Sequence, residues 1–308
     1  MKSTLLSCLV LTLALSAHGA DASDASTHDP ATVDLQYPPT MESLRIPTVG
    51  GAQLNAIIYR AGGAGLHPVV VMFHGYPGNE KNLDLAQALR RGGYHVVWFN
   101  YRGSWGSGGV FTMSNCLEDA RQVLAFVRSA PAVEKYGFDA SRIAVAGHSL
   151  GGWVALLTAA HDPAIRTVVS LAAWNPVVDL NRFEGDPAQH ASWVAGLDAD
   201  FDAQAGPLRG AGGVGVTGEI ARERVAFDYF NQAPALATKS LLVIAATRDT
   251  DQPLPQYHDP LIKALTAAKA PHLEILLYED DHPFSAHRIA LAQKVVTWLQ
   301  QTLPPKPR

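Results

Sequence analysis

A chain of 308 residues, 47% hydrophobic and 17% charged, has enough apolar side chains for one sizeable globular core. A formal net charge of −4 and the lack of any Lys/Arg-rich run argue against a polyanion-binding stripe, so no nucleic-acid partner is expected. Two cysteines, Cys8 and Cys116, are too few for a disulfide scaffold.

The first residues read as a targeting segment. Lys2 precedes an apolar run over 5–15, broken only by Ser7 and Thr12, and an A-x-A match follows at Ala20-Asp21-Ala22. The run is short for a bilayer span. The expectation is a signal peptide over residues 1–22, cleaved after Gly19, Ala20 or Ala22. It implies a secreted or periplasmic protein with no stable membrane anchor after cleavage. Cys8 leaves with the signal. Cys116 opens an amphipathic stretch and reads as a structural, buried thiol. Residues 23–40, rich in Ala, Asp, Ser and Pro, read as a flexible N-terminus, and 41–303 as the folded body.

The spacing then predicts two antiparallel strands at 43–47 and 54–60, joined through Gly50-Gly51. The continuous apolar run at 68–73 suits a strand covered on both faces, 167–171 reads as another buried strand, and further strands are read at 95–100, 142–146, 240–246 and 273–278. Helical patterns lie at 83–91, after 115 (with Asn115 and Glu118 as a cap), after 149 and over 286–301. Strands alternating with helices argue an α/β fold with a parallel sheet flanked by helices. The alternation stops at 173–234, where aromatics such as Trp174, Trp193, Phe227 and Tyr229 surround a glycine-rich run. A stretch of that length inside a compact domain reads as a functional insertion, a lid or cap over the strand ends.

Gly147-His148-Ser149-Leu150-Gly151 sits between an apolar strand and an Ala/Leu-rich helix. A turn that tight needs glycine on both sides, and it lifts the serine hydroxyl clear of the sheet beside the first unpaired amides of the helix. Ser149 is therefore the candidate nucleophile. A serine hydroxyl needs a base, and the base needs a third group to hold its tautomer. The strand at 240–246 is followed by Asp249 and Asp251, and the strand at 273–278 by His282. Asp249 is preferred because its placement three residues past the strand end lets a tight turn aim it at the histidine. Asp251 remains the alternative acid and His287 the alternative base. The amide of Leu150 supplies one oxyanion donor. The loop after residue 73 supplies the other, with the Tyr76 amide as candidate and Gly75 and Gly78 letting the backbone come close. His74 reads as a loop-fixing residue. No metal spacing appears.

These residues resemble the α/β-hydrolase superfamily. The closer likeness is to the catalytic domains of prolyl-oligopeptidase-type peptidases and to dienelactone-hydrolase-like esterases. It is carried by His74-Gly75-Tyr76-Pro77-Gly78, Asn100-Tyr101-Arg102-Gly103, Gly147-His148-Ser149-Leu150-Gly151-Gly152, Asp249 and His282-Pro283-Phe284. The resemblance implies a mostly parallel eight-stranded sheet, a serine nucleophile and no cofactor. The activity expected is cleavage of carboxylic esters through an acyl-enzyme on Ser149, Asp249 and His282. Aminopeptidase or acyl-peptide hydrolase activity is the alternative on the same triad, and a non-catalytic binding protein on the same fold is the alternative of another class. The partner expected is a small-molecule ester or a short peptide.

Overall fold

A computed structural model of the chain describes residues 25–201 and 206–305. The predicted signal peptide lies outside the described residues. Eight strands form one sheet: β1 (Thr40–Pro47), β2 (Gln53–Arg60), β3 (His67–Phe73), β4 (His95–Phe99), β5 (Phe138–His148), β6 (Thr167–Leu171), β7 (Ser240–Ala246) and β8 (Leu273–Tyr278). Their order is β1-β2-β4-β3-β5-β6-β7-β8. β1 and β2 pair antiparallel, β2 meets β4 antiparallel, and every later pairing is parallel. This is the α/β-hydrolase arrangement. The order of connection reverses at β3 and β5, and a crevice opens at such a reversal beyond the carboxyl ends of the strands.

The central strands bury both faces, because helices cover both. On one face Val69, Val71, Val145, Val168 and Leu241 pack with α2 (Met113–Arg128) and α4 (Leu150–His161). On the other, Val70, Met72, Val96, Val169 and Leu242 meet α1 (Leu83–Arg91) and the C-terminal helix Arg288–Thr302. Alternate residues of one strand serve opposite layers, so a continuous apolar run is needed. β5 extends back to Phe138, well before the predicted start, and its pairing with β3 shifts register between His67 and Val69. The short helix α3 (Ala130–Tyr136) precedes it, capped by Ser129.

Helix α2 starts at Met113, and its cap is Thr112 in place of the predicted Asn115. The Thr112 side chain accepts from the Asn115 amide, while Glu118 turns along the helix to Arg121 and Gln122. Residues 27–39 form no helix or strand; they dock through the Gly63 amide on the Tyr37 carbonyl.

Between β6 and β7 the chain is helical: α5 (Pro176–Phe183), α6 (Pro187–Asp198), α7 (Gly212–Arg222), α8 (Arg224–Phe227) and α9 (Ala233–Leu236). Helices α5 and α6 each start with a proline after Asn175 and Asp186, whose side chains accept the first amides. α10 (His258–Ala267) links β7 to β8, and α11 is the C-terminal helix Arg288–Thr302. No helix among the described residues is long and apolar enough to cross a membrane.

Candidate active site

Ser149 stands between β5 and α4 with φ 57° and ψ −121°, a conformation that costs a non-glycine residue about 1–3 kcal/mol. The flanking glycines make it possible. A Cβ on Gly147 would lie 2.0 Å from the Gly151 carbonyl oxygen, and one on Gly151 would lie 2.0 Å from the Phe73 oxygen. The serine is tied on both sides: its amide donates to Leu171 at 2.9 Å, and its carbonyl accepts from Trp153 and Trp174. Helix α4 begins at Leu150, and its first amides have no acceptor within the helix, so partial positive charge collects beside the serine.

The loops after β7 and β8 converge on the same place. His282 Nδ1 lies 2.6 Å from Asp249 Oδ2, and the Asp249 side chain is almost fully buried. Its other oxygen accepts the amides of Asp251 and Gln252 at 2.9 and 2.8 Å, which locks the carboxylate in one orientation. With Nδ1 donating to the carboxylate, the Nε2 of a neutral His282 is left as an acceptor.

His148 holds this loop from below. Its Nε2–H donates to the His282 carbonyl at 2.9 Å, and the two rings lie 4.5 Å apart. Burial, with the neighbouring His282 adding to it, pushes the His148 pKa down to about 3, so it stays a neutral donor. Arg288 adds a second brace, donating from Nη1 to the Pro283 carbonyl at 2.8 Å.

The loop after β3 crosses in front. A Cβ on Gly75 would meet Ser149 Cβ at 3.1 Å, so any larger residue here would push this backbone and the serine apart by a few tenths of an ångström. His74 is buried and its Nδ1–H donates to the Gly75 carbonyl at 2.7 Å; burial lowers its pKa to about 4. The Tyr76–Pro77 peptide is cis. The Tyr76 ring turns toward the helical segment, its hydroxyl donating to the Leu197 carbonyl at 2.7 Å and its ring lying near Phe111 and Trp174. Burial raises the pKa of that hydroxyl, helped by Asp200 and Asp198. Trp174 is fixed by its indole N–H on Asp179, which also accepts from the Tyr257 hydroxyl.

A family profile for X-Pro dipeptidyl-peptidases (S15 family) matches residues 50–242, more than half of the chain. The chain belongs to the S15 peptidase family. Solved structures share the fold of this S15 chain at low identity. A puromycin-hydrolyzing peptidase of Mycobacterium tuberculosis superposes with TM-score 0.63 at 19% identity, over 91% of this chain and 42% of that one. The Pyrococcus horikoshii acylaminoacyl peptidase gives 0.61 at 16%, over 88% and 42%. The Pyrococcus furiosus esterase Pf2001 gives 0.60 at 16%, over 89% and 96%. The chain thus spans about two fifths of the length of the two peptidases. No curated protein matches it in sequence.

Within this S15 chain the matched stretch contains Ser149 and Tyr76 but ends before Asp249 and His282. Of the alternatives, Asp251 is exposed and gives its amide to Asp249, while His287 pairs with Asp280 at 2.8 Å at the start of α11. Cys116 is buried in the core, and burial pushes its thiol pKa up. Among the described residues one group has metal-ligand spacing, Asp249, Asp251 and His282. It makes a poor cage, because both Asp249 oxygens are already occupied by His282 and two amides. Sequence reasoning placed Trp174 among the aromatics of the 173–234 segment but gave His148 no positioning role. The bond from His148 spans 134 positions to a backbone carbonyl, which leaves no mark on side-chain pattern.

Proposed function

We propose that this chain is a serine hydrolase that cleaves carboxylic esters through an acyl-enzyme on Ser149. The observation that carries the reading is the 2.6 Å contact of His282 with buried Asp249, beside a serine held at positive φ at the head of α4. Ser149 Oγ attacks the acyl carbon while His282 Nε2 takes its proton. Asp249 orients the ring and stabilises its charged form. The oxyanion of the tetrahedral intermediate accepts from the amides of Leu150 and Tyr76. His282 then gives the proton to the departing alcohol. Water enters and loses a proton to His282; its oxygen attacks the acyl carbon, and the acid leaves as Ser149 regains its proton. His148 and Arg288 act as positioning residues, since both hold the backbone of the His282 loop. The segment 173–234 is a cap that shapes the acyl pocket with Trp174 and with the Tyr76 ring it anchors.

A second reading is cleavage of an amide in a short peptide by the same groups, and the match to the X-Pro dipeptidyl-peptidase family favours it. A panel of p-nitrophenyl esters run against aminoacyl arylamides separates the two. Higher kcat/KM on the esters is expected; clear preference for arylamides selects the peptidase reading. Ser149→Ala should abolish turnover of either with the fold intact, and full activity in that variant contradicts both readings. The N-terminal signal implies that this chemistry takes place outside the cytoplasm; detection of the processed chain in a periplasmic or culture fraction tests that.

A further inference from the structure

A groove of about 510 Å³ opens on the flank of the site away from the helical segment. One wall is residues 79–84, which continue the loop that carries Tyr76. The other is Pro283, Ser285 and Arg288, which continue the loop that carries His282. The groove therefore lies between the two loops that would hold the oxyanion and deliver the proton. Its volume falls in the range of small-molecule sites, roughly 300–1,000 Å³.

Its charges are unequally engaged. Arg288 is spent on its surroundings: Nε and Nη2 donate to Asp84, Nη2 also to Asn82 Oδ1, and Nη1 to the Pro283 carbonyl. Glu80 turns to the Asn82 amide and lies 3.9 Å from the same guanidinium. Lys81 differs. Its ammonium sits 4.3 Å from the Trp105 ring centroid and 5.6 Å from that of Trp98. Among the described residues no carboxylate is within ion-pair distance of it. The indole faces strip water from one side of the cation and fix it in place. Trp105 is itself pinned to the oxyanion loop, its indole N–H donating to the Pro77 carbonyl at 2.8 Å. An ammonium held against two indole rings, with no carboxylate partner among the described residues, suits an incoming anion.

We propose that this groove receives the leaving group of the substrate and that Lys81 binds a carboxylate carried on it. The assignment rests on the reading of Ser149 as nucleophile and His282 as proton donor. A leaving atom protonated by His282 must depart past the His282 loop, and Pro283 is the first residue of the groove wall beyond it. The shared chemistry is an acyl compound whose alcohol or amine half ends in a carboxylate. Two sources fit: a hydroxy-acid ester, or a short peptide with a free C-terminus.

Two matched substrate pairs test this. One is a pair of esters, with one acyl group, of 4-hydroxyphenylacetate and of 4-hydroxyphenylacetamide, whose phenols leave about equally well. The other is a tripeptide as free acid and as C-terminal amide. The wild-type chain should favour the charged member of at least one pair by about three- to tenfold in kcat/KM at low salt. Which pair shows the preference identifies the source. The ratio should fall toward one in Lys81→Met, persist in Lys81→Arg, and shrink in the wild type as salt is raised. No preference in either pair, or a preference untouched by salt and by Lys81→Met, overturns the proposal. A fluorophosphonate adduct on Ser149 is checked in the same preparation. Its absence contradicts the nucleophile reading, which the ratio does not test.

Discussion

Strand β6 buries all five of its side chains, whereas helix α6, later in the same chain, buries only Leu197. The difference runs through the whole site. The sheet that presents Ser149, Asp249 and His282 is held by area: side chains of β3, β4, β6 and β7 fill two apolar layers, and burial of one aliphatic side chain contributes about 1.5–3 kcal/mol. The helical segment after β6 shares the first of these layers through Val177, Ile220, Phe227 and Tyr229, and directed bonds add to its placement. Trp153 donates from its indole to the Phe227 carbonyl at 2.7 Å, Tyr76 to Leu197, and Asn175 to Asp228 at 2.8 Å. Buried Glu219 accepts the Met113 and Ser114 amides, capping α2 from across the interface.

The largest effect should come from the strand ends. Asp249→Asn keeps the shape but reverses the preferred His282 tautomer, and kcat/KM for an ester should fall by about 10³–10⁴. A loss below tenfold would mean that another group orients His282. Next, Leu242→Ala removes a fully buried side chain between β7 and the α1–α11 layer. We expect about 4 kcal/mol lost in urea unfolding.

Acid should also strike the sheet. Burial pushes the pKa of His74 down to about 4, and of His95 and His148 to about 3, from an unfolded value near 6.5. Below pH 6.5 the unfolded chain takes up protons that these folded histidines refuse. Their contribution is therefore full above pH 6.5 and is lost as pH falls toward 4. Asp119, pushed up to about 6 by burial, and Asp179, also raised, oppose this in part. The net expectation is a loss of about 3 kcal/mol between pH 7 and pH 5, read as a lower urea midpoint. Stability that rises on acidification would reverse the assignment. The smallest effect separates the regions: Glu219→Gln should cost about 2 kcal/mol. Amide exchange should speed up in α7 and the first turn of α2, while β6 and β7 keep their protection. Uniform loss would show that the two regions unfold as one.

The strands at 167–171 and 240–246 stand where the apolar runs put them, since both-face burial demands unbroken runs; the edge strand at 273–278 also stands in place, though it leaves Ile275 and Leu277 exposed, and the helix at 83–91 follows its one buried face. The helices after β6 were not legible as helices. Most are too short for a 3.6-residue period to show, and α6 is amphipathic only weakly because so little of it is buried. Helix α10 was missed for a related reason: its buried apolar positions, Leu261 and Leu265, are only two. At α2 the cap is Thr112, whose side chain accepts from the Asn115 amide, while Glu118 pairs with Arg121. Ser149, Asp249 and His282 could be singled out because each follows a readable strand. His148 could not, because its partner is a backbone carbonyl.

The most direct test of the central claim is covalent labelling of the mature chain with a fluorophosphonate, mapped by peptide mass spectrometry. The account predicts one adduct, on Ser149 in the peptide between Arg142 and Arg166, absent in Ser149→Ala and strongly slowed in His282→Ala. An unlabelled but folded chain, or an adduct on another residue with Ser149 free, would contradict it.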